Sequence, residues 1–333
     1  MARFSPLMAS LPLLISLMSA TFQAQANNQL PDIGTAGVAA LPIEQEVRYG
    51  NAFMRFARAG LPIIDDPVLS EYIDDLGQRL LTNADGVRFP FTFFLINDPS
   101  INAAAFLGGR VKVHTGLFLY ADNESELASV LAHEITHVTQ RHIARYMEAQ
   151  ASSSAMTLAG LVGSIALAVI NPTAGIAALQ TTLGLSMQSA INYTRDNEYE
   201  ADRIGMKTLY DAGFDPMGMA SFFQKLAAEY RYASKPPEML LTHPLPETRI
   251  SEARARANSY GRRALPPSLD FWLAKVRIQV RYGTETPQAL LSYFDSRLQK
   301  GDYPLKDAAT YGKALALLQL KRTDEADTLM QEL

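Results

Sequence analysis

The chain has 333 residues, of which 48% are hydrophobic and 19% charged, enough apolar material for one substantial core and too much for a disordered protein. Its net charge of -4 leaves no basic footprint, which argues against nucleic acid as the main partner. It contains no cysteine, so disulfides, thiol nucleophiles and thiolate metal sites are excluded, and any metal must rest on histidine and carboxylate.

At the N-terminus Arg3 precedes an apolar stretch over 7–20 and the small-x-small string Ala24-Gln25-Ala26, which predicts a cleaved signal peptide over residues 1–26 and export to the periplasm. Residues 27–42 read as an extended arm. Helices are expected over 44–58, with Val47, Phe53 and Phe56 in the core, and over 67–81, where Leu69, Tyr72, Ile73, Leu76 and Leu80 fall at helical spacing. Residues 91–96 read as a buried strand, and 103–106 with 110–114 flank Gly108-Gly109 as a hairpin. The next helix has Asn123 as N-cap and Glu126 in capping-box position and is expected to run to residue 148.

A run of forty-six positions, 149–194, then carries no charge and is split by Asn171-Pro172. Each half is shorter than a bilayer span. Two readings stand: packed core helices, or a helical hairpin touching a membrane surface or an unfolded substrate. Further helices are expected around Glu198, over 219–232 and over 249–257, with a proline-containing segment at 236–246 between the last two. Pro266-Pro267 reads as a boundary, and beyond it 271–299 and 308–333 read as helices. The string Asp324-Glu325-Ala326 is similar to the second helix of a tetratricopeptide repeat, although the upstream signature positions are missing.

The string His133-Glu134-Ile135-Thr136-His137 carries the chemistry. Two imidazoles four residues apart sit about 40° apart around a helix and roughly 6 Å along it, so both reach one metal ion. Glu134 borders the same ion as a general base. A four-coordinate catalytic zinc needs a third protein ligand and an open position, and Glu198 is the best candidate. Asp202, one turn later on the same face, is placed to hydrogen-bond a ligating imidazole from behind. Glu200 points about 100° to either side of both and reads as a surface charge. His142, half a turn out of phase with His133, is expected to face away from the metal as a solvated or packed residue. His114 alternates with Val111 and Val113 and reads as structural or solvent-facing. His243 precedes Pro244 in a segment that cannot be regular helix there, and such segments often line sites; the other reading is a buried loop histidine.

Three motifs, His133 to His137, Glu198 to Asp202, and His243-Pro244 followed by Arg249, resemble the signatures of the M48 zinc metallopeptidases. The signal sequence, the loop Asn102-Ala103-Ala104-Ala105-Phe106 and the run from Asn197 to Gly205 point within that family to its periplasmic BepA-like branch. The resemblance covers about residues 30–260. It implies an α+β, mostly helical, zincin-type (gluzincin) domain over 27–262 with a small sheet beside the HEXXH helix. A short all-helical segment follows over 263–333, an incomplete repeat where that branch carries several. By the same resemblance one Zn2+ per chain is held by His133, His137 and Glu198, with Glu134, Asp202 and His243 in catalytic roles. His243 would then lie near the zinc as oxyanion donor, further ligand or latch. The implied work is quality control of envelope or outer-membrane proteins. Unfolded or misassembled substrates, the outer-membrane assembly machinery and a peripheral membrane contact through 149–194 are the implied partners. The competing reading is a chaperone-like assembly factor that binds such clients with little proteolysis.

Overall fold

The structure is a computed structural model and describes residues 36–149, scattered positions between 160 and 178, residues 187–232 and residues 238–333. The expected signal peptide and most of the uncharged run lie outside the described residues. Within that run, Val162, Ala166 and Ile170 are described and pack, partly buried, against a hydrophobic cluster built on Phe53, Phe94 and Phe106. Among the described residues no helix is long and apolar enough to cross a membrane.

Helix α1 (Ile43–Gly60) buries Gly50, Phe53, Met54 and Ala57. Phe56, expected in the core, is instead 57% exposed, because it lies about 100° round the helix from the centre of that buried face. Helix α2 (Pro67–Leu81) has the expected bounds: the Asp66 side chain accepts from Leu69 N, Pro67 occupies the first turn, and Leu69, Ile73, Leu76 and Leu80 are buried.

Strands β1 (Thr92–Ile96), β2 (Ala103–Phe106) and β3 (Arg110–His114) form a sheet in the order β1-β3-β2. β1 runs parallel to β3 with Phe93 opposite Val111, and β2 returns antiparallel with Ala105 opposite Val111. The expected hairpin is present, and Gly108 and Gly109 turn it at φ 70° and 71°, the left-handed region that glycine enters without steric cost. β2 is therefore an edge strand. A six-residue helix, α3 (Thr115–Tyr120), follows β3 directly and was not legible in the sequence.

Helix α4 (Glu124–Thr139) starts as expected, with Asn123 Oδ1 accepting from Glu126 N at 3.1 Å. It does not run to residue 148. The chain leaves the helix at Gln140, passes through Arg141 at φ 54° and restarts as α5 (His142–Ala149). Helices α6 (Met187–Asp211), α7 (Met217–Tyr232), α8 (Glu238–Thr242) and α9 (Glu247–Tyr260) follow. α6 crosses α4 so closely that a Cβ on Gly205 would meet the Ala132 carbonyl at 3.1 Å. That approach lets short acidic side chains of α6 reach the histidines of α4.

Helices α10 (Leu269–Tyr282), α11 (Pro287–Lys300), α12 (Lys306–Gln319) and α13 (Thr323–Met330) complete the chain. α10 packs on α2 and α3, stacking Phe271 on Phe118 with ring centroids 6.4 Å apart. Its Arg277 Nε donates to Asp66 Oδ2 at 2.8 Å. The last three helices enclose a separate cluster around Leu290, Phe294, Leu315 and Leu317.

Candidate metal centre

α4 is buried along almost its whole length, an unusual setting for two histidines and a glutamate, which remain inside only when each finds partners. His133 and His137 fall one turn apart and present their Nε2 atoms to each other at 3.0 Å. From α6, Glu198 brings Oε2 to 3.3 Å from His133 Nε2 and Oε1 to 3.2 Å from His137 Nε2. The turn after α8 adds His243, whose Nδ1 lies 3.1 Å from both Glu198 oxygens. Ligand atoms of these four residues all lie within 4.8 Å of one another. The three expected ligands and His243 are thus brought together.

Asp202 also stands where expected, its Oδ1 3.0 Å from His133 Nδ1. Arg249, from α9, holds it there: Nε and Nη2 each donate to Asp202 at 2.7 Å, while Nη1 reaches Glu198 Oε2 at 2.9 Å. This guanidinium is 2% exposed, and its fork matches two carboxylates at once. The sequence marked Arg249 as a motif position without giving it a task.

Glu134 turns from the helix toward the sheet. Its Oε2 accepts from the backbone N–H of Ala105 on the edge strand at 2.8 Å, and its Oε1 lies 3.4 Å from His243 Nε2. Burial pushes this carboxyl above its usual value, against the pull of His243 and His133, as suits a proton acceptor.

Two sequence expectations fail here. His142 does not face away: it is buried, with Nδ1 2.8 Å from His137 Nδ1. The half-turn phase assumed one unbroken helix, and the interruption at Arg141 voids it. Glu200 is not a free surface charge either. Its Oε2 lies 3.2 Å from His142 Nε2 and accepts from Arg145 Nη1 at 2.8 Å. His114 takes no part in the site. It is buried with Nδ1 2.8 Å from Ser100 Oγ, a structural role, and burial lowers it to about 4.

The donor set fits a cation. With His133 Nδ1 turned to Asp202 and His137 Nδ1 to His142, each ring in its neutral, metal-binding form would offer the lone pair of Nε2, and the two Nε2 atoms face each other and a carboxylate. Acceptors so close repel unless a positive charge sits among them. The local field agrees. Burial opposes charge on His133, yet Glu198 and Asp202 raise it to about 10; burial opposes ionisation of Glu198, yet His243, His137, His133 and Arg249 hold it well below the usual carboxylate range. His137, dominated by burial, falls to about 4. Histidine and carboxylate donors of this kind suit a borderline metal ion.

A buried helix carrying two histidines and a glutamate, completed by a carboxylate from a second helix beside a small sheet, is the architecture of a metallopeptidase domain. Residues 67–257 match the profile of peptidase family M48, and the chain belongs to that family. It is 51% identical over 312 residues to the beta-barrel assembly-enhancing protease of Yersinia pestis, covering 92% of this chain and 63% of that protein. Against its Escherichia coli K12 counterpart the identity is 47% over 310 residues, 93% of this chain and 63% of that protein. The metalloprotease LoiP of Escherichia coli K12 is more distant, 28% identical over 208 residues, 59% of this chain and 74% of that one. The chain therefore spans about 63% of the length of the assembly-enhancing proteases it matches.

Proposed function

We propose that this chain is a zinc-dependent endopeptidase of the periplasm that hydrolyses unfolded or misassembled outer-membrane proteins. The observation that carries the reading is the convergence of His133, His137 and Glu198 with Glu134 beside them, a base whose other oxygen is tied to an edge strand. The names of the relatives support the substrate class, and the sequence of residues 1–26 supports export. One zinc ion per chain, held by His133, His137 and Glu198, supplies Lewis acidity at the site when bound. Asp202 orients His133, and Arg249 orients Asp202.

Glu134 takes the proton of the attacking water and passes it to the leaving amine. The peptide lies extended along β2, where outward backbone groups of the edge strand other than the Ala105 N–H, which Glu134 holds, pair with its backbone and select flexible segments over folded ones. We take His243 as a latch: its ring sits between Glu198 and Glu134, the space that substrate and water need. Residues 27–262 are taken as the peptidase domain and 263–333 as a helical segment with an incomplete repeat. Outer-membrane assembly machinery, and a membrane surface met through residues 149–194, are proposed partners.

Glu134→Gln tests the central claim. Metal content should be unchanged, while cleavage of an unstructured protein falls by about 10²-fold or more. Cleavage at the parental rate would sink the peptidase reading and favour a client-binding assembly factor. His243→Ala tests the latch: basal cleavage should rise. A loss of about 10²-fold would instead make His243 an oxyanion donor.

A further inference from the structure

The groups behind the two helix-borne histidines differ in kind: Asp202, a carboxylate, backs His133, whereas an imidazole, His142, backs His137. We propose that His142 and Glu200 form a relay of ordered hydrogen bonds that positions His137, fixing its tautomer and ring plane so that Nε2 presents its lone pair to the metal centre. The direction of each hydrogen follows from the partners. The Glu200 carboxylate only accepts, so His142 Nε2, 3.2 Å away, carries the hydrogen. His142 Nδ1 is then a bare acceptor, and His137 Nδ1, 2.8 Å away, must donate to it. That leaves His137 Nε2 without a hydrogen. For neutral rings no other assignment satisfies both contacts.

The surroundings keep this order. Arg145 Nη1 donates to the same Glu200 oxygen at 2.8 Å and holds the outer end. The two rings meet edge on, centroids 4.8 Å apart with planes at 81°, which fixes the orientation as well as the tautomer.

The backbone is shaped for this contact. In a continuous helix a residue five places after His137 would lie about 140° round the axis. Arg141 enters the left-handed region instead, at φ 54°, a conformation that residues with a Cβ adopt only at a steric cost. Its guanidinium, buried, is held by Glu46 and by the carbonyls of Ala36 and Leu41. The arm over 36–41 thereby props the interruption that swings His142 back to His137.

This relay rests on the metal-dependent reading of the site, and the measurements separate the two. Zn2+ affinity is read by competition between the purified chain and a chromophoric chelator, and ligand geometry by the visible spectrum of the Co2+ form. His142→Phe keeps the ring volume and removes its nitrogens; affinity should fall by about 10–100-fold and the Co2+ spectrum should change. His142→Gln, whose amide accepts from His137 and donates to Glu200, should regain most of the affinity. Parental affinity and spectrum in His142→Phe would overturn the relay, and equal losses in the Phe and Gln variants would reduce His142 to packing and overturn it too. If His142→Phe does not fold, Glu200→Ala takes its place: a smaller loss in the same direction supports the relay, and parental affinity overturns it. A parent chain that binds no Zn2+ overturns the peptidase reading and the relay together, whereas an indifferent His142→Phe in a metal-binding parent overturns the relay alone.

Discussion

The interior around α4 and the interior of α11 to α13 are both well buried, yet they are built on opposite terms. Around α4, His133, Glu134, Glu198, Asp202 and Arg249 are all buried, as are Glu46 and Arg141 nearby. In the last three helices the cluster is Leu290, Leu291, Phe294, Leu315 and Leu317 with small residues between them, and Thr310 is the one buried polar residue recorded there among the described residues. Burying ions costs desolvation that pairing only partly offsets, so the first interior gains orientation more than stability. The second gains stability and specifies little chemistry. An interior that gathers a candidate metal centre and one that only packs can thus be told apart by what they are made of.

Arg249→Met should have the largest effect, because it strands Asp202 and Glu198 without their shared cation. A cost of about 3–5 kcal/mol is expected in urea unfolding, together with weakened metal binding. A change of less than about 1 kcal/mol would mean that the α4 interior does not depend on its ion pairs, and the contrast would collapse. Leu290→Ala, fully buried in the apolar cluster, should cost about 3 kcal/mol and leave Zn2+ affinity at the parental value. Loss of affinity there would show that the two interiors are coupled.

The smallest effect concerns the seam between them. Burial would raise Asp66, but hydrogen bonds and charge from Arg277, with help from Leu69 N–H and Tyr282, hold it below the usual value. A carboxyl lowered in the folded state contributes stability that is present above the ordinary aspartate range near about 3.9 and is lost as pH falls through the depressed value. Attachment of α10 to α2 should therefore hold through mild acid and weaken below about pH 4. Asp66→Asn should flatten that acid limb of a pH titration of stability, and an unchanged limb would remove this pair from the seam.

Much of this was readable from residues because it is local. The spacing of Leu69, Ile73, Leu76 and Leu80, the caps at Asp66 and Asn123, and the paired glycines of the hairpin each act within a few positions. Glu198 and Asp202 were legible for a similar reason, since the lack of cysteine and the one-turn phase between them left few choices. What escaped was decided by tertiary contact. Nothing in Gln140-Arg141 announces a left-handed residue; the partners that hold it, Glu46 and the carbonyls of Ala36 and Leu41, lie about a hundred positions away. His142 and Glu200 were misread as a consequence. A usable sign did exist: His142 and Arg145 share one turn of a strongly amphipathic segment, and a histidine five places after a ligand has little reason to stay buried unless it is tied to something.

The order of the chain puts His137 sixty-one residues and His133 sixty-five residues ahead of Glu198, with His243 and Arg249 later still. A growing polypeptide carries the pair long before it carries their completing carboxylate, and the guanidinium that locks that carboxylate comes after it. The four donors and the guanidinium that braces them are therefore all present only once position 249 has been made, so the centre is assembled late and from distant parts of the chain.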